Sequence, residues 1–172
     1  MKKILFITQY FPPDNSPAGY RVKSFIESLN NENSEIFLIT TYPHYRKTEE
    51  AYKFEPIEEV NIKRIKLLSS KNIYTKTLNE IIFMILSIIN SLRIKDVKIV
   101  FVSMPPIFTG FSGLIVSRIK HSKFIVDIRD LWVDLAIDLK FIKNSLLIKI
   151  LSKIEKSILN SASLITCATD GY

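Results

Sequence analysis

The residues best suited to chemistry lie in a short segment where charge directly follows an apolar run. Asp127, Arg129 and Asp130 end or follow the run Phe124–Ile128, and Trp132, the sole tryptophan, comes next. Charged groups beside a buried strand are costly unless they pair with each other or face a cleft. A structural pair of Arg129 with Asp127 or Asp130 is one interpretation. We favour a functional cluster, with Arg129 and Asp130 as the candidate catalytic residues.

A second candidate site follows the first apolar run of the chain, Ile4–Ile7. A polar turn leads into a helical pattern, and the free N–H groups and dipole of a helix start favour a negatively charged ligand. The predicted substrate-binding residues in this loop are Asn15, Ser16, Ala18, Gly19 and Arg21. Asn15 could equally cap the helix or form the turn. Arg21 could bind a phosphate or lie on a solvated face.

This loop does not carry a recognised nucleotide fingerprint. Gly19 is its only glycine, so it matches neither the dinucleotide-binding GxGxxG pattern nor a Walker P-loop. Gly19 would instead allow a close approach of backbone to ligand. The sequence therefore predicts an anion- or sugar-facing site without a nicotinamide or flavin cofactor.

Two further residues are candidates for substrate binding. His44 lies among aromatic residues in the segment Tyr42–Arg46, which could stack on a sugar ring, although a single loop histidine is often incidental. Ser103 ends an apolar run before two prolines and could touch ligand or merely close the strand. The chain has two distant histidines and one cysteine, a set that predicts no metal site. Cys167, flanked by apolar residues, is expected to be a buried strand residue rather than a nucleophile.

The elements that must position these residues alternate along the chain. Continuous apolar runs of strand length predict strands at Ile4–Ile7, Ile36–Ile39, Val60–Ile65, Ile99–Val102, Phe124–Ile128 and Leu164–Cys167. Helical patterns lie at Gly19–Asn30, Lys76–Arg93, Phe108–Lys120 and Ser145–Asn160. The alternation predicts an α/β fold, a Rossmann-like parallel sheet with helices on both faces. Ligands of such sheets bind beyond the carboxyl ends of the strands, which selects the loops Thr8–Gly19, Thr40–Lys47, Ser103–Thr109 and Arg129–Asp138.

Composition limits the class of protein and its partners. The 172 residues suit one domain, and the formal net charge is +7. The lysines are spread along the chain, so nucleic acid is not the expected partner. An anionic membrane surface is one explanation of the charge, and a lysine-rich composition without function is the other. The apolar stretches Ile81–Ile89 and Ser145–Asn160 are either core helices or a means of peripheral membrane attachment.

The compartment is expected to be cytoplasmic. A single cysteine fits a reducing environment, and four apolar residues after Met1-Lys2-Lys3 are too few for a secretory signal. If the lysine-rich helices bind lipid, the protein would lie on the inner face of the cell membrane.

Three segments in this order resemble a known enzyme family. Gln9–Pro13, Ser103–Pro106 and Arg129–Trp132 are similar to the corresponding segments of retaining glycosyltransferases of the GT-B fold. The resemblance is to the family 4 enzymes that assemble bacterial surface polysaccharides, in the branch similar to N-acetyl-fucosamine transferases. It implies that residues 1–172 form the Rossmann-like, acceptor-side N-terminal domain. The C-terminal nucleotide-sugar domain, with its Glu-x7-Glu motif, would be absent.

The resemblance also implies roles for the candidate residues. In this family the loop that corresponds to Asn15–Gly19 reaches the donor diphosphate and the acceptor, although relatives often carry a Gly-Gly pair there. Many members have a histidine near the reacting sugar at the position of Arg129. Arg129 and Asp130 would therefore inherit that place in the site.

The function expected from the resemblance is transfer of a sugar from a nucleotide-sugar donor to a polysaccharide or lipid-linked glycan precursor. This chain would supply the acceptor-binding domain, as part of a longer enzyme or as one subunit of a split enzyme, and would be inactive alone. Two alternatives stay open. One is a non-catalytic, Rossmann-like interaction or membrane-docking subunit, and the other is half of a GT-B-like sugar epimerase.

Overall fold

Six parallel strands form one sheet in the order β3-β2-β1-β4-β5-β6 in the computed structural model. The structure describes residues 2–30, 34–43, 57, 59–69, 72–138 and 144–167. The strands are β1 (Lys2–Ile7), β2 (Ser34–Thr41), β3 (Val60–Ile65), β4 (Val97–Met104), β5 (Lys123–Ile128) and β6 (Leu164–Cys167). The helices are α1 (Pro17–Asn30), α2 (Ile73–Leu92), α3 (Ile107–Lys120), α4 (Trp132–Asp138) and α5 (Ser145–Ser161).

The central strand β1 is apolar along its length because both of its faces are covered. Ile4 and Phe6 pack with Val22 and Ile26 of α1 on one face of the sheet. Alternate residues of β1 point the other way and join the core that α2, α3 and α5 form on the opposite face. Helices therefore lie on both faces, as the sequence predicted.

Glycines bring α3 close to β4. A Cβ atom at Gly113 would lie 2.1 Å from Val102 Cγ1, and one at Gly110 would lie 2.3 Å from Met104 Sδ. A side chain at either position would force its neighbour on β4 to move. The close packing of α3 fixes the loop at residues 105–106, which joins β4 to α3 at the edge of the sheet where the candidate site lies.

The predicted strands and four predicted helices are all present, with ends that differ by a few residues. One helix was missed, since α4 occupies part of the segment Arg129–Asp138 that the sequence predicted as a loop. With seven residues it is too short to show a clear helical period. The expectation that Cys167 is buried is wrong, because β6 is an edge strand and the thiol is exposed.

Candidate functional site

A cavity of about 570 Å³ opens at the carboxyl ends of the strands. It lies where the rule for parallel sheets predicts a ligand site. Residues from five parts of the chain line it: Tyr10, Ser16, Pro17, Ala18, Arg21, Glu80, Pro105, Pro106, Arg129, Asp130 and Trp132. Five of the predicted site residues are therefore brought together in one wall: Ser16, Ala18, Arg21, Arg129 and Asp130.

Arg129 is held by backbone carbonyl groups of the neighbouring strand. Its Nε donates to Met104 O at 3.2 Å, and its Nη2 donates to Pro105 O. Burial lowers the pKa of the guanidinium, whereas Tyr10, Asp127 and Asp130 raise it. Carbonyl oxygens carry no formal charge, so these hydrogen bonds orient the cation without cancelling its charge. The arrangement suits the binding of an anionic group from the cavity.

Asp127 forms its ion pair with Arg21 rather than with Arg129. Arg21 Nε and Nη2 donate to Asp127 Oδ1 at 3.0 and 2.9 Å. Arg21 Nη2 also donates to the carbonyl oxygen of Cys167 at 3.2 Å. The pair joins α1 to β5 and β6, and it fixes a second guanidinium in the wall of the cavity. Arg21 is thus both a structural residue and a cavity residue.

Only some of the residues predicted at the start of α1 line the cavity. Ser16 and Ala18 line the cavity, whereas Asn15 is exposed and lies outside the lining. Gly19 also lies outside it, and a Cβ there would be 3.0 Å from Phe11 Cα. The backbone that approaches Gly19 closely is thus the chain's own, in the loop after β1.

The two remaining candidates are placed differently. Ser103 is buried, and its Oγ donates to Asp127 Oδ2 at 3.3 Å. It supports the Arg21–Asp127 pair and does not line the cavity. His44 lies outside the described residues. No group of three or more His, Cys, Asp or Glu side chains that could hold a metal ion occurs in the described part of the chain.

Sequence reasoning missed Glu80, which reaches the cavity from α2. Burial raises the pKa of its carboxyl group to about 7. One signal was available: Glu80 is the only charged residue between Lys76 and Arg93 in an otherwise apolar helix. The helical period alone could not show that this residue faces the end of the sheet.

Trp132 is positioned by a buried carboxylate from another helix. Glu155 of α5 accepts a hydrogen bond from Val133 N at 3.5 Å, at the first turn of α4. Glu155 is 8% exposed, and burial raises its pKa. A carboxylate there satisfies a free N–H group of the helix start. α5 therefore holds α4, and with it Trp132, against the cavity.

Known proteins match this chain in structure rather than in sequence. No protein-family model matches it, and no curated protein sequence is significantly similar to it. The crystal structure of Acinetobacter baumannii MurG is similar over 100% of this chain, with a TM-score of 0.58 and 7% sequence identity. The chain spans 43% of the length of that protein. The similarity confirms the predicted α/β, Rossmann-like fold.

A second solved structure is less similar. Yeast methylglyoxal/isovaleraldehyde reductase Gre2, complexed with NADPH, matches 97% of this chain and 54% of its own, with 13% identity and a TM-score of 0.43. A TM-score at that level supports no argument about this chain.

Proposed function

We propose that this chain is the acceptor-side domain of a glycosyltransferase that transfers a sugar from a nucleotide-sugar donor to a polysaccharide or lipid-linked glycan precursor. The cavity at the carboxyl ends of the strands carries the proposal, because it combines fixed guanidinium groups, Arg129 and Arg21, with the indole of Trp132. The fold similarity to MurG, a glycosyltransferase of the GT-B type, supports it. So does the resemblance of three ordered segments to the family 4 enzymes of bacterial surface polysaccharide synthesis.

The proposed chemistry needs positive charge near a leaving diphosphate. A bond forms between an acceptor hydroxyl oxygen and the anomeric carbon of the donor sugar, and the bond from that carbon to the diphosphate oxygen breaks. The hydroxyl proton leaves with the diphosphate or passes to a base. The start of α1 at Ser16 would face the developing negative charge. Arg129 would hold the diphosphate of the lipid-linked acceptor beside it. Asp130 would orient Arg129 or hold the acceptor hydroxyl.

A second domain would complete the site. The nucleotide of the donor would bind mainly there, as the family resemblance implies, and this chain alone would not catalyse transfer. It would be part of a longer enzyme or one subunit of a split one. In both cases the protein is proposed to act in the cytoplasm, with neither metal nor cofactor supplied by this domain and with no nucleic acid partner.

Binding experiments on this chain test the assignment to the acceptor side. Trp132 is the sole tryptophan, so intrinsic fluorescence reports directly on the cavity. A water-soluble short-chain prenyl diphosphate, with and without an attached N-acetylhexosamine, should change this fluorescence on binding. UDP-, GDP- and dTDP-sugars should bind weakly. Tight binding of any nucleotide-sugar by this chain alone would contradict the acceptor-side assignment.

Variants of Arg129 test the anion-binding role. Arg129→Gln should weaken binding of the prenyl diphosphate about tenfold to hundredfold, since a charge-assisted hydrogen bond is lost. Arg129→Lys keeps the charge but loses the planar guanidinium, so its affinity for the prenyl diphosphate should lie between those of the wild type and Arg129→Gln. Arg118→Gln is the matched control, because Arg118 lies near the end of α3 and outside the cavity lining. Equal affinities for all four proteins would overturn the role.

A membrane-docking role is the second candidate, and one observation favours it. α2 exposes large apolar side chains, including Tyr74 at 82%, Ile85 at 47% and Ile89 at 45%. Lys149 and Lys153 of α5 are exposed on the same side of the sheet. No helix among the described residues is long and apolar enough to cross a membrane. Apolar and basic groups together suit a peripheral contact with anionic lipid.

A further inference from the structure

The cavity lining combines two kinds of group. Arg129 and the start of α1 form a cationic part, which the proposed function assigns to diphosphate groups. Glu80 and Trp132 form a second part, which a diphosphate does not need. A carboxylate would repel phosphate groups, so the second part suits a neutral ligand or a neutral portion of a larger one.

The second part has the chemistry of a sugar subsite. An ionised carboxylate only accepts hydrogen bonds, and a sugar ring offers several hydroxyl donors at short spacing. An aromatic ring covers the C–H face of the sugar and keeps water away from it. Glu80 and Trp132 together therefore match the polar and apolar parts of one pyranose.

We propose that Glu80 and Trp132 form the subsite for the sugar ring of the acceptor, with the Glu80 carboxylate accepting hydrogen bonds from its hydroxyl groups. This inference rests on the proposed function, because it requires a sugar joined to a diphosphate that lies at Arg129. It identifies the acceptor as a sugar with free hydroxyl groups, rather than a bare lipid phosphate or a peptide.

The protonation of Glu80 gives the subsite a measurable signature. Burial raises the pKa of Glu80 to about 7. The ionisable groups that share the cavity with it are Arg21, Arg129, Asp130 and Tyr10. α3, β2 and β3 also pack on α2. The pKa shift of Glu80 comes from burial, with no contribution from a charged group of the described residues. Since the carboxylate is the stronger acceptor, the sugar should contribute more to affinity above pH 7 than below it.

The experiment compares ligands of equal charge that differ in the sugar. The reference, called the bare diphosphate here, is a short-chain prenyl diphosphate whose terminal phosphate carries a methyl ester. The other probes carry glucose, galactose, N-acetylglucosamine or N-acetylgalactosamine in place of the methyl group. Binding is followed by Trp132 fluorescence and by calorimetry at pH 6 and pH 8. At pH 8 at least one sugar should raise the affinity about tenfold over the bare diphosphate, and this gain should shrink at pH 6.

Glu80→Gln is the decisive variant, with Glu27→Gln on the exposed part of α1 as its control. Glu80→Gln should abolish both the tenfold gain and its pH dependence. It should not weaken binding of the bare diphosphate, because it removes a carboxylate that repels phosphate groups. Glu80→Asp, which shortens the side chain, should retain the pH dependence with a smaller gain. Circular dichroism checks that each variant is folded.

The outcomes separate this inference from the function on which it rests. If the bare diphosphate binds through Arg129 but no sugar adds affinity, the sugar subsite is wrong and the proposed function stands. If a sugar adds affinity equally in wild type and Glu80→Gln, Glu80 is not the contact. If neither the bare diphosphate nor any sugar-bearing form binds, the proposed function fails as well.

Discussion

At the scale of single residues, Asp127 shows how the fold keeps a charge in its interior. Its side chain has no exposed surface, yet it accepts from Arg21, from Ser103 Oγ at 3.3 Å and from Thr166 Oγ1 at 2.8 Å. These donors come from α1, β4 and β6. A buried carboxylate needs such partners, because the free-energy cost of removing it from water can exceed the stabilisation from a single ion pair. Asp127 therefore ties the end of the sheet to the helix start that lines the cavity.

Loss of the Asp127 charge should lower the stability of the fold substantially. Asp127→Asn leaves the guanidinium of Arg21 without its partner, and the free energy of unfolding should fall by about 3 kcal/mol. Urea denaturation measures the change. Glu27→Gln removes an exposed partner of Lys23, 3.4 Å away, and should cost less than about 0.5 kcal/mol. A loss below about 1 kcal/mol for Asp127→Asn would show that the pair adds little to stability.

Glu80 should make stability depend on pH in the opposite sense to a salt-bridged acid. Its pKa of about 7 in the folded state lies above the ordinary value of 4.5 for a glutamate. Between these values the folded state binds more protons than the unfolded state, so this group's contribution to stability falls as pH rises. It is fully present below pH 4.5 and lost once pH has passed through 7. Thermal unfolding from pH 4 to 8 should show this slope.

The same measurement on Glu80→Gln provides the comparison. The variant should be more stable than wild type at pH 8 and similar to it at pH 4, because the neutral amide is never ionised. A difference that is the same at all pH values would contradict a partly buried, titrating carboxyl group. A group that lowers stability at neutral pH is typical of a binding site.

At the scale of elements, the cavity depends on how closely helices approach the sheet. α3 approaches β4 at Gly110 and Gly113, and α1 approaches the loop after β1 at Gly19. α4 is held from outside by Glu155 of α5. Each contact fixes one wall of the cavity through backbone position. The residues that set the geometry of the site are thus often ones that do not touch it.

The two glycines of α3 should differ in how well they tolerate a methyl group. The Cβ of Gly113→Ala would meet Val102 Cγ1 at 2.1 Å, on a stiff, fully buried side chain. We expect a loss of about 1–3 kcal/mol from overpacking, measured by urea denaturation. Gly110→Ala meets the flexible thioether of Met104 and should cost less. The reverse order would mean that β4, rather than Met104, gives way.

At the scale of the whole molecule, exposed apolar surface and positive charge occur on the same layer of helices. α2 and α5 both lie on the side of the sheet opposite α1, and both expose isoleucine or leucine side chains. Glu80 comes from α2, so the cavity opens beside this layer. Contact of α2 with a membrane would bring the proposed lipid-linked acceptor close to the cavity.

Vesicle flotation tests this arrangement. The chain should float with vesicles that contain anionic lipid, and less with neutral ones, because the net charge is +7. Raising the salt concentration should weaken the binding through screening. Ile85→Glu should reduce it strongly, since Ile85 is 47% exposed on α2. Ser24→Glu, at an exposed position of α1 across the sheet, adds the same charge and should change it little.

Failure of this test would have a clear meaning. If Ile85→Glu binds vesicles as well as wild type, α2 is not the docking surface. If the wild-type chain does not float with anionic vesicles at low salt, the membrane-docking role is wrong. Neither result bears on binding of a soluble acceptor analogue in the cavity, so the glycosyltransferase proposal is tested separately.

Much of the site could be placed from sequence, but not its internal contacts. The segments around Ser16 and Arg129 were predicted, because buried parallel strands are continuous apolar runs and their loops follow directly. Glu80 was missed, because the helical pattern shows which face of α2 is apolar but not which residues of α2 lie beside the end of the sheet. Asn15, Gly19 and Ser103 were candidates of suitable type, yet the structure leaves them outside the cavity lining.

The amino-acid sequence by itself determined the succession of strands and helices along the chain and the edge of the sheet at which the cavity opens. It did so because hydrophobic periodicity is a local property, and because parallel strands carry their carboxyl ends to one edge. Only the tertiary structure decided which charges meet. Arg21 pairs with Asp127, 106 residues away along the chain, and Arg129 donates hydrogen bonds to backbone carbonyl groups. Such partners depend on distances of a few ångströms between distant segments, and no local pattern encodes them.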